Sequence, residues 1–118
     1  MPLVTVYYWR TLSPLQMALL GQKIPVAVAN HLTIDQVREA WLIPDDIEVL
    51  FQKGDPRDVR HSDIAIRVEA MHLRHREKIV NDAAKEIGED VDQILEGLTF
   101  FVWIVLAHAG YYEQRREQ

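Results

Sequence analysis

Apolar and polar positions change their spacing several times along the chain, and each change marks an element. The run LVTVYYW, Leu3 to Trp9, is rich in β-branched and aromatic residues and predicts a strand covered on both faces. Ser13-Pro14 then offers an N-cap with proline at the first helical position, and Leu15, Ala18 and Leu19 begin a helical repeat. Pro25 falls inside that repeat and predicts a kink or break before PVAVANHL, because proline removes a backbone donor and crowds the preceding turn. Behind Thr33, the stretch DQVREAWL predicts another short helix that ends before Pro44. IEVLFQ, Ile47 to Gln52, predicts a second strand, followed by the highly charged loop GDPRDVRHSD. From Asp63 to Leu73 the pattern alternates, with Ile64, Ile66, Val68 and Ala70 on one face and Arg67 and Glu69 on the other, which predicts a third strand. Ile79, Val80, Ala83, Ala84, Ile87, Val91, Ile94 and Leu95 keep helical spacing for roughly four turns, from about Glu77 to near Gly97. FFVWIVLA predicts a buried final strand, and HAGYYEQRREQ a polar tail.

The order is strand, helix, strand, loop, strand, helix, strand. It describes a single α/β (α+β) domain over 1–118, made of two tandem β-α-β units at about 1–54 and 63–118. Such units favour parallel pairing with right-handed crossovers, so the expectation is a four-stranded sheet with both helices on one face. The other face lacks a cover, and the apolar strands predict self-association about a symmetry axis.

Composition narrows the function classes. With 118 residues, 48% hydrophobic and 26% charged, the chain has the make-up of one globular domain. A net charge of −5 argues against a phosphate-backbone binder, which draws its affinity from a basic surface, so no nucleic-acid partner is expected. The absence of cysteine excludes disulfide and thiolate chemistry and fits a cytoplasmic setting. The longest apolar run, Phe100 to Ala107, is too short for a membrane span, and the N-terminus lacks the order of a signal peptide. There is no glycine-rich phosphate loop. His72 and His75 have H-x-x-H spacing but no third ligand placed with them, so neither a metal nor another cofactor is expected. Trp9, Trp41 and Trp103 are candidates for core or interface anchors, and Trp9 and Trp103, at strand ends, could wall a pocket.

Pro2 carries two readings. The first position of a strand tolerates proline, because no ladder donor is needed there. If Met1 is removed, Pro2 instead becomes a secondary amine, able to act as base or nucleophile near neutral pH. An α-amine titrates near ~8 in model peptides, and partial burial beside cations lowers that value further.

Proline after the initiator Met, a strand leading to the Leu12-Ser13-Pro14 helix start, the segment Ile43 to Gln52, and a strand running into an arginine-bearing turn together resemble the tautomerase superfamily. The likeness is to its longer members, the macrophage migration inhibitory factor-like and cis-3-chloroacrylate dehalogenase-like proteins of two fused β-α-β units. The resemblance implies a homotrimer acting on a small enolic or unsaturated carboxylic acid, by tautomerisation or by hydration with dehalogenation. It implies Pro2 as the proton-transfer group, and Arg74 and Arg76 of the HLRHR turn as catalytic partners of the substrate carboxylate. Arg10 lies near the family's first arginine position, and His31 is similar in placement to a histidine on the first helix of the dehalogenases. Tyr111, Tyr112 and Glu113 follow the last strand, where dehalogenating members carry a tyrosine and a water-activating glutamate. Two alternatives stay open beside it: a catalytically silent trimer that binds a small acid or a protein, and an unrelated ferredoxin-like module in which Pro2 has no role.

Overall fold

The computed structural model describes residues 2–108 and 112–116. Four strands, β1 (Leu3–Tyr8), β2 (Glu48–Lys53), β3 (Ile64–Met71) and β4 (Phe100–Ala107), form one sheet in the order β2-β1-β3-β4. Pairing is parallel inside each unit, β1 with β2 and β3 with β4, as expected. The units themselves join antiparallel along β1 and β3, with Leu3 opposite Glu69 and Tyr8 opposite Ile64. The linker dictates that joint: residues 54–63 contain no helix, and a short helix-free connection returns the chain antiparallel, whereas a parallel return takes a longer crossover.

Alternation decides which side of the sheet is covered. Val4 and Val6 of β1 and Ile64, Ile66, Val68 and Ala70 of β3 are fully buried, and Val49, Phe51, Val102 and Ile104 pack against them. Over this face lie α1 (Pro14–Leu32), contributing Leu20, Ile24, Val28 and Leu32, and α3 (Val80–Val91), contributing Ala83, Ile87 and Val91 at a spacing of four. The opposite face is open: Leu50, Met71, Phe101 and Trp103 are all exposed there. Strand β1 is accordingly half-covered on its outer face rather than buried on both.

Helix α1 starts as its sequence predicts. Ser13 Oγ accepts from the Gln16 amide at 3.0 Å, Gln16 Oε1 accepts from the Ser13 amide at 2.9 Å, and Pro14 follows the cap. It does not break at Pro25 but runs through to Leu32. Leu20 and Ile24 ahead of the proline and Val28 and Leu32 beyond it are buried in the same core, so packing on the sheet holds both halves in one helix. DQVREAWL is a second correction: only the single 3₁₀ turn Arg38–Ala40 forms. Thr33 is extended, and its hydroxyl bonds both the amide (3.0 Å) and the carbonyl (3.3 Å) of Leu42, pinning the segment as a loop. The second helical region is also divided, into the single turn α2 (Arg74–Glu77) and α3, with further turns ending near Gly97 at φ +83°.

Candidate active site at the proline end of the sheet

Strand directions gather the candidate residues. β1 and β2 begin at the same end of the sheet at which the antiparallel β3 and β4 finish. Pro2 is buried at that end, and its carbonyl accepts from the Glu48 amide at 3.3 Å. The β1–β3 register, continued by one residue, sets Pro2 level with Ala70, which pairs with Leu106. The HLRHRE turn leaves β3 two residues beyond Ala70, so the turn that carries Arg74 and Arg76 starts beside the start of the chain.

The two arginines of that turn have different surroundings. Arg74 is exposed. Arg76 is 2% exposed, and its guanidinium donates to three backbone carbonyls: Nε to Leu32 at 3.2 Å, Nη1 to Met71 at 3.0 Å and Nη2 to Ala40 at 3.2 Å. These join the last residue of α1, the end of β3 and the 3₁₀ turn. The cation meets the negative end of the α1 dipole, while burial draws its pKa down. Arg76 therefore fixes the turn from beneath and leaves Arg74 facing outward.

His72 and His108 are neighbours here, with ring centroids 4.1 Å apart, and His72 Nε2 lies 2.6 Å from Glu77 Oε1. The hydrogen bond from His72 and the charge it can carry hold the Glu77 carboxyl below its usual range. The H-x-x-H spacing did not identify this pair; the β3–β4 register does, because Met71 opposite Ala107 places the next residues of both strands side by side. Among the described residues no group of three His, Cys, Asp or Glu is placed to hold a metal ion.

The tail returns to the same end. Arg115 pairs with Glu113 and reaches Asp46 Oδ1 at 3.8 Å, just ahead of β2. The Tyr112 hydroxyl donates to Gln114 Oε1 at 2.9 Å, and Tyr112 is exposed. Tyr111 and Met1 lie outside the described residues.

Two further candidates are engaged with other groups. His31, in the last turn of α1, has Nδ1 2.6 Å from Glu86 and Nε2 2.8 Å from Asp90, so both ring nitrogens are committed to α3 carboxylates and the imidazole ties the helices together. Arg10 follows the other end of β1, with Nη1 4.0 Å from Asp63 Oδ1, a strand's length from Pro2. The structure places Pro2, Arg74 and the tail bearing Glu113 at one end of the sheet, sets Arg10 at the other end, and commits the His31 ring to carboxylates of α3.

No helix among the described residues is long and apolar enough to cross a membrane. No protein-family model matches the chain, and no curated protein matches it in sequence. Solved structures do match. MIF2 of Leishmania major is 14% identical with a TM-score of 0.64, covering 94% of this chain and 93% of its own. A 5-carboxymethyl-2-hydroxymuconate delta-isomerase is 11% identical with a TM-score of 0.63, over 99% of this chain and 89% of its own. A malonate semialdehyde decarboxylase, FG41, inhibited by 3-bromopropiolate, is 17% identical with a TM-score of 0.60, over 90% and 83%. Fused 4-OT, solved among other forms as a symmetric trimer, also matches, at 13% identity and a TM-score of 0.61, over 90% of this chain and 85% of its own. The shared feature is the fold: a four-stranded mixed sheet with two main helices on one side, the tautomerase fold.

Proposed function

We propose that the chain is a tautomerase-type enzyme that moves a proton on a small enolic or unsaturated carboxylic acid, with Pro2, freed by removal of Met1, as base and acid. The observation that carries this reading is the buried Pro2 sharing one sheet end with the exposed guanidinium of Arg74. A free Pro2 amine takes the enol proton and returns it to carbon, so charge and atoms balance without a cofactor. Arg74 binds the carboxylate and draws electron density toward it. Glu113, on the returning tail, is the candidate water-activating group if the reaction is a hydration or dehalogenation. Arg76 serves the site by holding the turn.

A homotrimer belongs to the same reading. β2 and β4 are edge strands with unpaired backbone groups, and Leu50 (52% exposed) and Met71 (44%) lie on the open face, features that adjoining copies would cover. The fused 4-OT trimer among the similar folds supports that assembly.

The test is Pro2→Ala, assayed on enols such as phenylenolpyruvate and on haloacrylates. The reading expects a loss of kcat/KM of roughly 10²–10⁴-fold with the fold intact by circular dichroism. An unchanged rate would overturn it and leave the silent binding trimer.

A further inference from the structure

Side chains at its two ends clip the single turn α2. His72, two residues ahead of it, and Glu77, its last residue, meet at 2.6 Å between Nε2 and Oε1, and Arg74 lies between them in the chain. Pairing with β4 runs on to His72, whose amide donates to the Ala107 carbonyl at 3.0 Å. Alternation beyond Ala70 sends the His72 ring to the helix-covered side of the sheet, and alternation beyond Leu106 sends His108 to the same side, where the two rings stand 4.1 Å apart. The cluster therefore lies off the open face that adjoining copies would cover.

Glu77 is three residues beyond Arg74, a spacing at which opposite charges on a helical turn pair. They do not pair here: among the described residues Arg74 forms no ion pair, and Glu77 is taken by His72. The His72 hydrogen bond and charge lead in holding the Glu77 carboxyl low, and the charges of Arg74 and His108 add to it, so the Arg74 guanidinium is within electrostatic reach. Nearby acids of the tail side are engaged as well, since Glu113 and Asp46 both meet Arg115. A carboxylate released onto Arg74 would compete with a substrate carboxylate for the same planar donors.

We propose that His72 is a positioning residue for the Pro2 site: by holding the Glu77 carboxylate it keeps that acid off Arg74 and leaves the guanidinium free for the substrate, a role that rests on Arg74 as the carboxylate binder.

The test is steady-state kinetics on phenylenolpyruvate. His72→Phe keeps a ring against His108 but cannot hold Glu77, and should raise KM about threefold with kcat nearly unchanged, as loss of uniform binding does. His72→Asn, shorter than histidine, should do the same and serves if the phenylalanine variant fails to fold. Glu77→Ala alone should leave KM near the wild-type value, and adding Glu77→Ala to His72→Phe should return KM to that value, because no carboxylate is then left to capture Arg74. A KM unchanged by the His72 variants, or one that stays raised in the double variant as it would if the bond only braced the turn, would overturn the role. If the wild type does not turn over phenylenolpyruvate, the Pro2 reading fails, and the NMR signal of the Arg74 Nε–H still tests His72. Its hydrogen exchange should slow in His72→Phe and recover in the double variant, and an unchanged signal would overturn the role.

Discussion

One missing methyl group organises the loop beyond β2. A Cβ at Gly54 would overlap the Trp9 indole, so only glycine lets that ring lie against the backbone and donate to Asp58. Gly54→Ala should expel the indole, red-shift the emission and cost about 2 kcal/mol, measured by urea denaturation. A wild-type spectrum and midpoint would contradict this packing. Arg76 makes the complementary case. Lysine keeps the charge but offers one nitrogen where three separated carbonyls need a planar fork. Arg76→Lys should therefore destabilise the fold by about 2 kcal/mol, whereas Arg74→Lys should leave stability within about 0.5 kcal/mol and change kcat/KM instead. At this scale the sequence identifies residue types that could do chemistry. It does not tell Arg74 from Arg76, two positions apart in one turn, because only the packing of α1 against β3 decides which guanidinium is buried.

Elements were more legible than residues, and where the reading missed, a tertiary contact overrode a local rule. All four strands appear within one or two residues of their expected bounds, because alternation and β-branched content are strong local signals. Pro25 did not break α1, since Leu20 and Ile24 before it and Val28 and Leu32 after it are buried in one core. DQVREAWL did not become a helix, since the Thr33 hydroxyl holds Leu42 across it. The antiparallel joint of the two units was not read from strand patterns, which are blind to direction; it follows from the helix-free linker. Inside the second unit, the starts of β3 and β4 are fastened by Asp63 and Thr99, where Asp63 Oδ2 accepts from the Thr99 amide at 3.1 Å and Thr99 Oγ1 accepts from the Asp63 amide at 3.0 Å. The Thr99 amide, ahead of the Thr99 hydroxyl and the Arg10 and Arg60 charges, holds the Asp63 carboxyl below its usual range. A depressed carboxylate contributes stability that is present above its unfolded pKa and is lost as pH falls through the folded value. Between about pH 5 and 3 the wild-type Tm should fall more steeply than that of Asp63→Asn, and parallel slopes would remove Asp63 from the account.

For the whole molecule, one topological fact orders the rest. Joining two parallel units antiparallel puts the start of the chain against the ends of β3 and β4, so Pro2, the Arg74 turn and the returning tail converge although they span most of the sequence. The same fact sends Arg10 and the charged 54–63 loop to the opposite end. The central claim depends on a chemical event at the first peptide bond, because Pro2 is a base only as a free amine. The most direct measurement is the intact mass of the chain expressed without an N-terminal tag. The account predicts loss of Met1, leaving proline at the terminus. A mass that retains Met1 throughout would leave an amide at Pro2 and contradict the proposed mechanism.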